Sequence, residues 1–255
     1  MTEKTSDPAK QVKNLSEQQI VDSILEHMPS NDEVAIELPS KNKFYDLQEA
    51  SKPISLRPMT FEDEKAMVST KNMGKDILNM VLSRCISNIN VNDLLQMDKL
   101  HLIMKLRELS YGDDYNAVIS CPSCKKDSEV TFTLSNMPVN FIEDDATDPM
   151  VFDLPVLKKQ IKARFPRVSD EHYFTTAEFA IQNLWRFVEE IEGCRSKTVI
   201  SKVIPQLPLK DAHRLLDHLS GNKYGVDTKV KFFCAYCSHT ENMELPIGTD
   251  FFTAT

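Results

Sequence analysis

The chain has 255 residues, 41% of them hydrophobic, and carries 30 Lys and Arg against 38 Asp and Glu, a formal charge of −8. Such a balance argues against nucleic acid or an anionic membrane as the main partner, since both reward dense basic surface. No apolar run approaches a membrane span, the polar stretch 1–14 has no apolar signal core, and six cysteines in a chain of this kind predict reduced thiols and metal rather than a disulfide framework.

In chain order, residues 1–15 read as a disordered polar arm. Ser16 and Gln19 form a capping box ahead of a helical stripe of Ile20, Val21, Ile24, Leu25 and Met28. This amphipathic piece is a candidate docking element that orders on a partner. Val34, Ile36 and Leu38 alternate as a short strand. Thr60 is a helix N-cap with Glu62, Asp63 and Glu64 in the first turn, where the helix dipole favours acids. Further helices are predicted over 75–88 and from Asp98 to Tyr111, the first with Cys85 on its apolar stripe as a small core residue. Glu143, Asp144 and Asp145 read as a solvated acidic loop, and 152–157 as extended. From Thr175 a helix is predicted whose stripe is Ala177, Ile181, Leu184, Val188 and Ile191, with Trp185 and Phe187 flanking it. Any part of that band left exposed would be a partner surface. Pro208 opens a last helix, stopped by Gly221.

The cysteines carry the chemistry. Cys121 and Cys124 form one Cys-x-x-Cys pair, and Cys234 and Cys237 form another. Each pair follows a strand-like run, Ala117-Val118-Ile119 or Val230-Lys231-Phe232-Phe233. Each is followed at matched offsets by alternating apolar residues: Val130, Phe132 and Leu134, or Met243, Leu245 and Ile247. Strand, cysteine knuckle, strand is therefore written twice, and two knuckles supply the four thiolates of a tetrahedral structural zinc. Neither knuckle has glycine after its second cysteine; Lys125 and Ser238 stand there. His239 is a spare ligand whose ordinary reading is a solvated side chain, and nothing is assigned to Cys194. Cys-Pro-Ser-Cys also resembles a thiol–disulfide site, but such a site sits at a strand-to-helix turn, and strand-like residues follow here. Neither a phosphate-binding Gly-rich loop nor a His-based catalytic arrangement can be argued from the sequence.

Three stretches read together resemble a family: Leu38-Pro39-Ser40-Lys41-Asn42-Lys43-Phe44-Tyr45, then Leu56 to Lys65 (LRPMTFEDEK), then Lys105 to Gly112 (KLRELSYG) running toward Cys121-Pro122-Ser123-Cys124. Their order is similar to that in the T-even-type phage baseplate hub assembly proteins of contractile-tail phages. The resemblance covers about residues 34–135 well and the rest loosely. It implies a non-enzymatic late protein acting through contacts with baseplate hub proteins, as an assembly chaperone or as a hub component, in the host cytoplasm or the virion tail.

The expected fold is α+β, mostly helical, with a zinc-ribbon-like pair of β-hairpins joined across a helical insertion. The expected divisions are 1–15 (arm), 16–112 (helical with a short strand), 113–135 with 226–255 (the two halves of the β module) and 136–225 (helical insertion). The expected metal ligands are Cys121, Cys124, Cys234 and Cys237, holding zinc or iron. The alternative function is a zinc-ribbon nucleic-acid-binding accessory protein, for which Lys125, Lys126, Lys229 and Lys231 would form the basic face.

Overall fold

The computed structural model describes residues 16–26, 32–69, 76–219 and 224–252. The chain divides into two compact units, Met1–Asp32 and Glu33–Thr255. In the first, helix α1 (Glu17–Glu26) starts at the predicted capping box: the Ser16 amide donates to Gln19 Oε1 at 2.9 Å and the Gln19 amide to Ser16 Oγ at 3.3 Å. The arm expected over 1–15 and the helix end at 27–28 lie outside the described residues.

The second unit is α+β. It opens with a three-stranded antiparallel sheet, β1 (Val34–Ala35), β2 (Ser55–Leu56) and β3 (Ile86–Ser87), in that order. Helices α2 (Phe61–Ser69) and α3 (Asp76–Cys85) lie between β2 and β3 in the chain. Asp63 was expected to complement the α2 dipole, yet its side chain is fully buried. It accepts from Arg57 Nη1 at 2.7 Å, Arg84 Nε at 2.6 Å and the Thr60 amide at 2.9 Å. Burial alone would raise this carboxyl, but those donors hold it well below the usual carboxylate range. One carboxylate thus ties the β2 exit, the start of α2 and the end of α3 together.

Helix α4 (Gln96–Tyr111) runs through the middle and ends at Gly112, whose φ of 92° is a conformation open to glycine. Both faces of α4 are buried, including polar Asp98, His101 and Arg107. Asp98 accepts from the Ser40 amide at 2.9 Å and from the Tyr45 hydroxyl, which itself accepts from the Leu95 amide at 2.8 Å, so the 38–45 loop is clamped onto the helix start. Arg107 lies under aromatic rings instead of beside an acid, 5.0 Å from the Tyr115 centroid and 5.5 Å from that of Phe251.

Two long hairpins follow from the cysteine pattern. Strands β4 (Asp114–Ser120) and β5 (Asp127–Thr133) pair from Asp114↔Thr133 to Ser120↔Asp127, with Tyr115, Ala117 and Ile119 turned inward. Next come β6 (Val139–Asn140), β7 (Met150–Asp153), β8 (Gln160–Ala163), α5 (Ala177–Asn183), β9 (Val188–Ile191), α6 (Lys197–Val203), α7 (Leu209–Leu219) and β10 (Gly225–Val226). Strand β10 returns antiparallel to β6, so segment 141–224 leaves and re-enters at adjacent points. Gly225 holds φ 93°, and a Cβ there would meet the Met97 carbonyl oxygen at 3.1 Å. Finally β11 (Lys229–Phe233) and β12 (Thr240–Glu244) form the second hairpin, and Phe251 and Phe252 close the main core.

The intervening segment is not mostly helical. It has a core of its own under a sheet of order β7-β8-β9 with α6 and α7. The single helix expected from Thr175 through Ile191 ends at Asn183, and Val188–Ile191 is a strand. Val188 and Ile191, three residues apart, pair with Ala163 and Ile161, two residues apart, because a bulge gives β9 one extra residue. A bulged strand buries positions at a spacing of three, which imitates a helical stripe.

Replacing Asp63 by Asn leaves two guanidinium groups without their carboxylate. Urea unfolding of Asp63→Asn is expected to show a loss of about 3 kcal/mol, the low end for a broken buried pair because both arginines reach water.

Candidate metal centre

Each hairpin presents its cysteines from the tip. At the first, the Cys121 amide donates to Lys126 O and the Lys125 amide to Cys121 O, both at 2.9 Å. At the second, the Cys234 amide donates to His239 O and the Ser238 amide to Cys234 O, again both at 2.9 Å. Strand registers match as well, Ser120↔Asp127 against Phe233↔Thr240. The position after each second cysteine is left-handed, φ 60° at Lys125 and 59° at Ser238. The knuckle therefore adopts the conformation for which glycine is usual, with two residues that tolerate it less well.

The two tips face each other. Cys121 Sγ lies 3.7 Å from Cys237 Sγ, and Cys124 Sγ lies 3.7 Å from Cys234 Sγ, so the short separations run between hairpins. All four sulfurs lie within 4.8 Å of one another, and all six cysteines are free thiols. A regular tetrahedron with bonds of about 2.3 Å to zinc has edges of about 3.8 Å, so donor type and spacing both fit such an ion. Cys121 and Cys234 are buried, Cys124 is half-buried and Cys237 reaches the surface.

The thiols are electrostatically unequal. Burial opposes a thiolate at Cys234, but the Tyr236 and Cys237 amides and the thiols of Cys237 and Cys121 outweigh it and bring the group down to about 6. At Cys237 the His239 amide pulls downward, yet burial and the neighbouring thiols push the group up to about 11. Four thiols around one point behave this way: the first anion is stabilised by its neighbours, and the next is repelled.

Around the centre, the His239 ring lies 3.5 Å from Glu241 and is not among the clustered donors. Lys126 sits over the Tyr236 ring at 4.8 Å, and Lys229 faces Glu244 across the β11–β12 ladder. Cys85 is buried in the main core, with burial lifting its thiol to about 11. Cys194 packs half-buried against the second core. Asp144 is not merely solvated: it pairs with Lys41 at 2.5 Å.

Sequence reasoning missed a third copy of the knuckle. Leu154-Pro155-Val156-Leu157-Lys158-Lys159 matches Cys121-Pro122-Ser123-Cys124-Lys125-Lys126, with leucines for cysteines and the Pro and Lys-Lys retained. The β7–β8 turn repeats the geometry: the Leu154 amide donates to Lys159 O and the Lys158 amide to Leu154 O at 2.9 Å, and Lys158 has φ 54°. In the second knuckle the Cys234 sulfur receives the amides two and three residues on. Here those amides, of Val156 and Leu157, donate to the buried Asp211 carboxylate at 2.7 and 2.9 Å. A carboxylate delivered by α7 does for this tip what a thiolate does for the other. The shared word Pro-x-x-Lys-Lys was the available signal.

Residues 30–253 match a family model described as T4 bacteriophage base plate protein. No curated protein and no solved structure matches the chain.

Two outcomes follow from the tips. Asp211→Asn is expected to cost about 2 kcal/mol in urea unfolding and to speed hydrogen exchange at the Val156 and Leu157 amides first, as for lost hydrogen bonds to a charged acceptor. Lys125→Gly combined with Ser238→Gly is expected to raise stability by about 0.5 kcal/mol per site, the left-handed strain removed exceeding the entropy added; a fall in the urea midpoint would contradict this.

Proposed function

Because the chain belongs to the T4 bacteriophage base plate protein family, we propose that it acts as a baseplate hub assembly factor or hub component. Its work is done by protein–protein contacts, in the host cytoplasm during assembly and at the tail baseplate. The family match across residues 30–253 carries this reading.

The four clustered cysteines are the ligands of one structural ion in this proposal. Zinc suits four thiolates at these separations, and with four protein ligands no coordination position is left to activate water. Zinc would supply neutralisation of the thiolates and a clasp between two hairpins remote in sequence, so its binding energy becomes folding energy. Iron would take the same ligand set. The role is accordingly structural and non-enzymatic.

The nucleic-acid alternative needs a free basic face around the knuckles. Lys229 lies opposite Glu244 in the ladder and Lys126 is drawn over the Tyr236 ring, which reduces that face.

The purified full-length protein is expected to carry one zinc per chain by elemental analysis, with no visible absorption of a ferric thiolate centre. Cys121→Ser and Cys234→Ser should each lose the ion and lower Tm by about 6–12 °C, corresponding to about 3 kcal/mol at this chain length. A metal-free protein with unchanged Tm would refute the centre. For the role itself, infection with phage lacking the gene should yield no complete baseplates; normal tails would end the assembly reading.

A further inference from the structure

The sequence places Ile181 on a core-facing stripe, and the structure turns it out. Helix α5 is seven residues long and buries only Asn183, while Ile181 is 60% exposed and Phe179 40% exposed. A helix this short has little intrinsic stability and normally persists by burying an apolar face. Here local caps hold it: Thr176 Oγ1 accepts from the Phe179 amide at 3.1 Å, and Asn183 Nδ2 donates to Phe179 O at 2.8 Å.

Just past the end of α5, Arg186 lies against two aromatic rings, 4.5 Å from the Trp185 centroid and 4.8 Å from that of Tyr173, its Nε fixed on Asn183 Oδ1 at 2.8 Å. No carboxylate among the described residues pairs with it. Next to it is an open cleft of about 350 Å³ lined by Arg164, Asp170, Tyr173, Trp185, Arg186 and Lys197. The one carboxylate of that lining is already committed, since Asp170 takes both Arg164 Nη1 and Nη2, at 2.7 and 2.8 Å. Glu189 stands 3.6 Å from Lys197 and 3.9 Å from Arg164, so among the described residues Arg186 is the cation of this lining with no acid beside it, and the exposed Phe179 ring lies next to Tyr173, 6.5 Å between centroids. Trp, Tyr and Arg are the residue types that anchor protein interfaces.

We propose that the Arg186–Trp185–Tyr173 cleft, with the exposed Phe179 ring beside it, is a docking site for a protein segment that presents a carboxylate flanked by apolar side chains. The carboxylate meets the free fork of Arg186, and the apolar side chains cover Phe179 and Trp185. This rests on reading the chain as a building block of a multiprotein baseplate, and it names the surface and the chemistry of one contact.

Trp185 is the single tryptophan, so its emission reports the site in the intact protein. The probe is a 15-residue helical peptide with leucines along one face and glutamate beside them, compared with its glutamine counterpart, inorganic phosphate and ATP. Saturable change with the glutamate peptide is expected, at least tenfold weaker with the glutamine peptide and with Arg186→Gln or Phe179→Asp protein of unchanged Tm. Should either variant lower Tm, Arg186→Lys, which keeps the charge without the fork, and Phe179→Ser serve the same comparison. Equal binding of both peptides, wild-type binding by these variants, or saturation of the signal by phosphate or ATP would overturn the proposal. The titration contains no phage component, so it can fail while the baseplate reading stands, and it can succeed if that reading falls.

Discussion

Four sulfurs from two distant hairpins converge on one point, and the architecture follows from that convergence. Cys121 and Cys237 are 116 residues apart in sequence and 3.7 Å apart in space. Four thiols packed with two buried members and no counter-charge would be a poor core on their own, since each anion opposes the next. A divalent cation held there, as proposed, would reverse that account. The β4–β5 and β11–β12 hairpins, the closing turn at Phe251 and Phe252 and the central helix α4 all share the core beneath this junction.

A second theme is the buried acidic side chain at each piece of irregular backbone. Asp98 clamps the 38–45 loop, Asp63 gathers Arg57, Arg84 and Thr60, and Asp211 caps the β7–β8 tip. In each case the acid accepts backbone amides that lie outside the helices and strands. Two of the three stretches that carry the family resemblance meet such an acid, the 38–45 loop bonded to Asp98 and 56–65 holding Asp63, while the third, 105–112, holds Arg107 under aromatic rings.

How legible this was in the sequence depends on how local each signal is. The capping box at Ser16, the stop at Gly112, the alternation in β4 and β11 and the clustering of the four cysteines were all readable, because neighbours in sequence set them. The segment after Asn136 was misread where tertiary pairing prevails over pattern. Val188 and Ile191 look helical because of a bulge opposite Lys162 and Ala163, and Ile181 looks buried only if the helix continues. The third knuckle was hidden by its substituted ligands: the Pro and the two lysines mark the turn, but the group that satisfies its amides, Asp211, lies 54 residues beyond Leu157. Asp63 was assigned the weaker of its two electrostatic roles, since an exposed dipole interaction and a buried ion pair look alike from the sequence.

The adjacency of β6 and β10 has a consequence for how such a chain can change. Segment 141–224 departs and returns through neighbouring strands, with a core of its own. The entropy of closing an excursion rises only with the logarithm of its length, about 0.6 kcal/mol for each doubling. Changes of length on the side of that module away from Phe165, Val168 and Glu171, which tie it to the start of α4, therefore cost the parent body little chain entropy.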